Sequence, residues 1–154
     1  MTPPPAPFFL SRNGAIPNNP DLPILPLKLP TPVDVNSLRK RLQGNGWHGI
    51  WTGGIYDYHH YHSTNHEFLG VLAGSAELEL GGQNGEHLQV EAGDALVLPA
   101  GTGHRAISQS PGFQVLGAYP GQADWDLCTD ADEPDQDVEE RIREVAVPKR
   151  DPLG

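Results

Sequence analysis

Short apolar stretches with a period of two fill the middle of the chain, from about residue 47 to residue 119. The clearest is the run AELEL at 76–80, in which every second side chain is apolar. Side chains of a strand point alternately to its two faces, so this pattern predicts a half-buried strand. Asn84-Gly85 follows it closely, and Asn-Gly is a strong hairpin signal. Further short apolar runs follow at 88–90, 95–98, 106–107 and 113–119.

Such short, evenly punctuated strands predict an all-β sandwich or barrel. The segment before it differs, because residues 1–33 contain ten prolines, which exclude a helix for most of that length. We predict a proline-rich arm over 1–33 that packs on the barrel or on a dimer partner. Its apolar pieces at Phe8 and Ile24 are suited to edge strands.

A short helix is predicted between the arm and the strands. Asp34 is a candidate N-cap, Gly44 is a candidate stop, and Val35, Leu38 and Leu42 lie between them at helical spacing. This helix and the strands together form a predicted barrel unit over 34–120.

The alternation ends after Tyr119, and residues 121–154 form a predicted acidic C-terminal segment. Nine acids lie between Asp124 and Glu140, and no Lys or Arg lies between Arg105 and Arg141. An acidic run is usually a solvated surface, and a partner-binding role is the alternative. Asp135 is a candidate cap for a second short helix, which would place on one face Val138, Ile142 and Val145.

Charge and composition exclude several classes of function. A net charge of -10 argues against nucleic-acid binding, which depends on basic patches that contact the phosphates. Cys128 is the single cysteine, so no internal disulfide can form, and nothing near it in the sequence marks it as a nucleophile. No apolar run approaches the ~18 residues of a membrane span, and the N-terminus does not resemble a signal peptide. We therefore expect a cytoplasmic protein that binds neither nucleic acid nor membranes.

Histidines are clustered in one segment, HHYHSTNHE at 59–67. His60 and His62 share a face if this segment is a strand, and the turn-like residues 63–65 bring Glu67 round on the next strand. Imidazole together with carboxylate favours Mn, Fe, Co, Ni or Zn over Ca and Mg. The spacing of His62 and His66 would suit a zinc pair on a helix, but the surrounding residues favour a strand.

Two longer patterns carry a family resemblance. Gly54, His60, His62, Glu67 and Gly74 match every defined position of the first cupin motif. The second motif is matched by Gly93, Pro99, Gly101 and His104, with Ser108 where the family usually has asparagine. Over about residues 45–120 the chain resembles the cupin superfamily, and in particular small bacterial single-domain cupins of unassigned activity.

The resemblance implies a double-stranded β-helix, the cupin jelly-roll barrel, with one divalent transition metal inside. It implies the ligands His60, His62, Glu67 and His104, with Fe, Mn, Ni and Zn left open. A barrel that has lost its metal is the alternative. Cupins often form homodimers, sometimes by exchanging an N-terminal strand, and residues 6–27 are the segment that we expect to serve for this.

Parity along the strands assigns other candidate residues. Tyr56 and Tyr58 share parity with His60, so we expect both to line the interior, either as core residues or as hydrogen-bond donors to a bound ligand, and they are the candidate catalytic residues. A second apolar wall of the interior is expected from Leu69, Val71 and Ala73.

The remaining histidines, Arg105 and the tryptophans are expected outside the site. His59 should face outward, and His66 should bond a ligand residue or lie at the surface, with metal ligation as the alternative. Arg105 should point out of the barrel, with a grip on an anionic substrate as the alternative. Surface positions are expected for His48 and His87, and packing roles for Trp47, Trp51 and Trp125.

The expected function is that of a metal-dependent enzyme acting on a small, oxygen-rich or anionic metabolite. The same fold and ligand set supports dioxygenase, lyase, decarboxylase and isomerase chemistry. Of these reaction types, dioxygenase-type chemistry is the leading expectation. The alternatives are a non-catalytic module that binds a small ligand or a metal, and a structural barrel with a vestigial site.

Overall fold

Ten strands and two helices make up the computed structural model within its described residues, 3–121, 124–131 and 136–154. The elements in chain order are β1 Leu25–Lys28, α1 Val35–Gly44, β2 Trp47–Gly53, β3 His60–Tyr61, β4 Glu67–Ala73, β5 Ser75–Leu80, β6 Glu86–Glu91, β7 Asp94–Leu98, β8 His104–Gln109, β9 Gln114–Pro120, β10 Cys128–Thr129 and α2 Val138–Glu144. No helix among them is long and apolar enough to cross a lipid bilayer.

The strands form two five-stranded antiparallel sheets that face each other. The first has the order β1-β7-β4-β9-β2 and the second the order β10-β3-β8-β5-β6. Between them lies an apolar core to which the first sheet contributes Leu69, Leu96 and Val115 and the second Leu78, Leu80 and Ala106. The predicted all-β jelly-roll barrel is confirmed.

The first sheet is also covered on its outer face. Leu38 and Leu42 of α1 pack there against Phe68 and Leu116, which point away from the interior. This double burial explains why β4 reads as an almost continuous apolar run, whereas β5 alternates. Leu69 and Val71 are buried in the interior as expected, but Ala73, at the end of β4, is exposed and the expectation for it is wrong.

Local signals placed the first helix correctly. The Asp34 side chain accepts a hydrogen bond from the Ser37 backbone N–H at 3.0 Å, and the helix ends at Gly44. The second helix begins after Asp137. The expected cap, Asp135, lies outside the described residues. Val138 and Ile142 are buried on one face of it, while Val145 is the residue at its C-terminal end.

The proline-rich arm lies against the barrel of its own chain. Its strand β1 pairs with β7, and Phe8 forms an isolated bridge with Ile24. Both apolar pieces of the arm therefore pair as edge segments, as predicted. Exchange of this arm between two copies stays a prediction, which sedimentation at micromolar concentration tests: a monomer would contradict it.

Candidate metal site

The candidate ligands come from both sheets and meet at one end of the barrel interior. His60 in β3 lies directly opposite His104 at the start of β8, and their ring centroids are 4.0 Å apart. His62 follows β3 by one residue, and Glu67 begins β4 in the facing sheet. All four side chains are buried, at 3% to 7% exposure.

Three of the four residues form a tight group. The ligand atoms of His62, Glu67 and His104 all lie within 4.8 Å of one another, the arrangement that a bound ion needs. His62 Nε2 is 3.4 Å from Glu67 Oε2, and His104 Nε2 is 3.2 Å from Glu67 Oε1. His60 lines the same cavity but does not belong to this group.

Backbone carbonyls orient the three imidazoles. The Nδ1 atoms of His60, His62 and His104 lie within hydrogen-bond distance of the carbonyl oxygens of Tyr58, Asp126 and Thr102, respectively. A carbonyl oxygen can only accept, so each Nδ1 carries a hydrogen and each Nε2 is left with a lone pair when the ring is neutral. Metal-bound histidines in proteins are held in this way.

The resulting arrangement of lone pairs fits a metal ion. Glu67 Oε1 is buried and has no hydrogen-bond partner. The Nε2 lone pairs of His62 and His104 point at a carboxylate that also has only lone pairs, which repel unless a proton or a cation lies between them. Imidazole and carboxylate are ligands that suit Fe, Mn, Co, Ni or Zn, so the residues fit one divalent transition metal.

The pKa shifts follow from the same geometry without a cation, where a proton on His62 can take the place between the ring and Glu67. Burial, and after it the neighbouring His104, lowers the pKa of His60 to about 3, so this ring is neutral at pH 7. Burial alone would raise the pKa of Glu67, but the adjacent imidazoles of His104 and His62 outweigh it and hold that pKa well below its usual range. Burial lowers the pKa of His62, yet its hydrogen bond with Glu67 and the charge of Glu67 raise it overall.

The group lies in a cavity of about 660 Å³, a size typical of small-molecule sites. Besides the four candidate ligands, the residues that line it include Ile50, Trp51, Ile55, Tyr56, Leu69, Tyr119, Trp125 and Leu127. Its walls are therefore mainly apolar and aromatic.

Tyr119 connects the cavity wall to the ligand group. Its hydroxyl donates to Glu67 Oε2 at 2.9 Å and accepts from Trp51 Nε1 at 3.0 Å, and its ring stacks on Trp125 with centroids 4.1 Å apart. Tyr119 was not among the expected site residues. The available signal was parity, because Tyr119 shares a face of β9 with the buried Val115.

The two candidate catalytic tyrosines are not where parity placed them. Only His60–Tyr61 of that segment is a strand, so side-chain alternation does not extend back to residue 56. Tyr56 lines the cavity and is 53% exposed, while Tyr58 is 40% exposed and is not among the lining residues. Their rings stack with centroids 4.8 Å apart. The expectation that both lie inside the barrel is wrong.

His59 and Arg105 meet on the outer face of the second sheet. His59 points away from His60 as expected, but it is buried rather than exposed, because its Nε2 lies 3.0 Å from Glu79 Oε1. Arg105 Nε donates to the same carboxylate oxygen at 2.9 Å, so this side chain does point out of the barrel. His87 is exposed and His48 half-buried.

His66 supports the fold beside the site. Its Nδ1 accepts a hydrogen bond from the Ala100 N–H at 2.8 Å, so its Nε2 donates to the Ala146 carbonyl oxygen at 3.1 Å. Both ring nitrogens are used, which excludes the alternative of metal ligation in this conformation. We expected His66 either to bond a ligand residue or to lie at the surface. Both expectations are wrong, because His66 is buried and the partners of its ring are backbone groups.

Two of the three tryptophans line the cavity, although packing roles were expected for all three. Trp47 is buried in the packing between α1 and the first sheet, as expected. Trp51 packs against the barrel core and lines the cavity as well, whereas Trp125 lines the cavity and stacks on Tyr119. Glycines make room for both rings: a Cβ atom at Gly117 would lie 2.2 Å from Trp51 Cε2, and one at Gly49 would lie 2.8 Å from Trp125 Cζ3.

Comparison with known proteins agrees with the fold and the motifs. Residues 46–115 match the cupin domain family. The chain is 37% identical over 146 residues to the uncharacterized protein YjlB of Bacillus subtilis (strain 168), a match that covers 95% of this chain and 88% of that protein.

Solved structures similar to the chain include two enzymes. Acireductone dioxygenase from Bacillus anthracis, with cadmium in its active centre, is 14% identical over 65% of this chain and 78% of its own, with a TM-score of 0.42. A mutant of Bacillus subtilis oxalate decarboxylase is 19% identical over 52% of this chain, with a TM-score of 0.41. The match spans only 22% of that longer chain. On the family match and the relationship to YjlB, the chain belongs to the cupin family.

Proposed function

We propose that this protein is a metal-dependent enzyme that converts a small molecule in its barrel cavity, with dioxygen chemistry on bound iron as the leading reaction type. The observation that carries the proposal is that two Nε2 lone pairs face the two oxygens of the buried Glu67 carboxylate, whose Oε1 has no hydrogen-bond partner, at the base of an open cavity. Two histidines and one carboxylate with open positions is the ligand set typical of non-haem iron oxygenases.

His62, Glu67 and His104 would hold the ion, and His60 would be the fourth ligand from the adjacent strand. A bound divalent metal can polarise a carbonyl, activate water or activate dioxygen. The protein's own contribution is positional. The carbonyls behind the imidazoles fix their tautomers, and Tyr119 holds Glu67 by its Oε2 atom.

The exposed Tyr56 is proposed as the group that orients the substrate or donates a proton at the cavity rim. Tyr58 would act through its stacking contact with Tyr56, which holds that ring in place. The Tyr56→Phe variant should therefore reduce turnover more than it reduces metal affinity, whereas the Tyr58→Ala variant should affect both the orientation of Tyr56 and turnover.

The proposal is tested by loading the purified full chain anaerobically with Fe(II) and adding nitric oxide, a probe for an open position on the metal. We expect the high-spin iron–nitrosyl EPR signal in the wild type and in the His87→Ala variant, whose exposed histidine lies outside the site. The signal should be lost in the His104→Ala variant. Oxygen consumption is then followed with panels of small substrates.

Iron that binds at one equivalent but gives no nitrosyl signal would contradict an open catalytic centre. It would favour the non-catalytic metal-binding module. An equal signal in the wild type and in His104→Ala would mean that the iron is bound elsewhere.

A further inference from the structure

Cations are missing from the walls of the metal cavity. Among the described residues that line it, none is Lys or Arg. Arg105, next to the ligand His104, is on the outer face of the sheet and donates to Glu79 and to the Asp57 carbonyl oxygen. A substrate with a carboxylate or phosphate besides the oxygen that meets the metal would find no counter-charge here, and burying an unpaired charge is costly.

The charged residues next to the aromatic lining residues in the sequence are acidic rather than basic. Asp57 follows Tyr56, while Asp124 and Asp126 flank Trp125, so acids accompany two of the aromatic residues that line the cavity. The chain carries no Lys or Arg between Arg105 and Arg141. These neighbours therefore supply no counter-charge for a polyanionic ligand.

Trp51, Tyr119 and Trp125 together form one side of the cavity, the aromatic wall, and this wall is flat. Tyr119 and Trp125 stack with their planes only 9° apart, so they form a slab rather than the box of crossed rings that encloses a quaternary ammonium. Trp51 completes this wall, and its indole N–H is already used by the Tyr119 hydroxyl. Trp51 therefore offers carbon surface, and no free donor, to a ligand.

Two glycines make room for this wall. Gly117 lies opposite Trp51 in the β2–β9 pairing, where even a methyl group would collide with the indole. Gly49 leaves the corresponding space beside Trp125. The large rings thus occupy positions that the neighbouring strand residues leave open.

We infer that the site takes a planar aromatic substrate that presents one oxygen or a pair of neighbouring oxygens to the metal and carries no other anionic group. This inference deepens the proposed function and rests on it for the metal contact. It replaces the expectation of an oxygen-rich or anionic metabolite with a compound of the hydroxylated-arene class. Recognition comes from stacking and from apolar burial against Trp51, Trp125 and Leu69.

The test uses the full chain loaded with Zn(II), which does not oxidise the probes, and compares 4-nitrocatechol with oxalate. Dissociation constants come from the visible spectrum of nitrocatechol, from calorimetry for oxalate, and from tryptophan fluorescence. We expect nitrocatechol to bind at least about tenfold more tightly than oxalate. The Trp125→Ala variant should weaken nitrocatechol binding by about tenfold and Trp125→Phe by less.

Two controls separate the wall from general effects. Trp125 is 43% exposed, so its removal should leave the fold intact. The Phe9→Ala variant removes another exposed aromatic ring, 62% exposed and outside the cavity lining, and should leave nitrocatechol binding unchanged.

Metal content, measured by elemental analysis on the same samples, distinguishes the two claims. Zinc at one equivalent with oxalate bound as tightly as nitrocatechol, or with Trp125→Ala without effect, overturns the inference and leaves the proposed function standing. A chain that takes no zinc but binds nitrocatechol in a manner dependent on Trp125 supports the aromatic site and contradicts the metal enzyme.

Discussion

The hydroxyl of Tyr119 provides the most informative single-atom perturbation of the site. It lies in a residue only 3% exposed and makes two hydrogen bonds, one to the Glu67 carboxylate and one from Trp51. Tyr119→Phe removes both bonds and keeps the ring that stacks on Trp125. The pKa of Tyr119 is raised far above its usual range, chiefly by burial and then by the charge of Glu67, so the hydroxyl acts as a donor throughout the accessible pH range.

The expected magnitude follows from the two lost bonds. A hydrogen bond to a charged group contributes about 1.5–3 kcal/mol and a neutral one about 1 kcal/mol, so we expect Tyr119→Phe to lower the free energy of unfolding by about 2–4 kcal/mol. Metal affinity should fall by about 10- to 100-fold, as is usual when a residue that orients a ligand is lost. Denaturant unfolding measures the first, and competition with a chromophoric chelator the second.

A matched control is Tyr61→Phe. Tyr61 is also buried, at 2% exposure, but it belongs to the cluster beneath α2 and does not line the cavity. This variant should lose stability and keep its metal affinity within about twofold. If Tyr119→Phe folds normally and binds metal as tightly as the wild type, the reasoning that Tyr119 positions Glu67 is refuted.

The other predictions concern the free energy of unfolding and its dependence on pH below pH 4.5. His66→Ala should lower the free energy of unfolding by about 1–3 kcal/mol, since the buried Ala100 N–H loses its partner, yet the variant should still bind one metal per chain; loss of the metal from well-folded protein would contradict this. Burial would raise the pKa of Glu79, but hydrogen bonds from His87 and Arg105 lower it from 4.5 to about 2. Its stabilisation is therefore complete above pH 4.5 and lost as the pH falls towards 2. Glu79→Gln should flatten urea-measured stability across that window, and an unchanged slope would show that Glu79 does not contribute.

Local patterns predicted much of the fold correctly. The alternation of 76–80, the turn at Asn84 and the cap at Asp34 each depend on residues close in sequence, and each appears as expected. The motif spacing also brought His62, Glu67 and His104 to one place. The first three features depend on short-range geometry and on the strand period, which a sequence displays directly, whereas the ligand set was implied by the resemblance to the cupin motifs.

The residues whose positions were predicted wrongly or not at all depend on contacts between distant segments or on a local backbone that is not a strand. His59 faces outward as expected, but its burial was not foreseen, because it depends on Glu79 and Arg105 from other strands. Tyr56 and Tyr58 were assigned by parity in a segment that is mostly not a strand. The aromatic wall escaped prediction because it requires knowing that Gly117 lies opposite Trp51, a register that parity along a single strand does not supply.

The metal affinity of the wild type and of Glu67→Gln, measured with Zn(II) by chelator competition and elemental analysis, tests the central claim most directly. The substitution keeps the shape of the side chain and removes the charge that faces both Nε2 atoms. We predict one equivalent of metal in the wild type and at least about 100-fold weaker binding in the variant, with His87→Ala unchanged. A wild type that stays metal-free after loading, or a Glu67→Gln variant that binds equally well, would contradict the account.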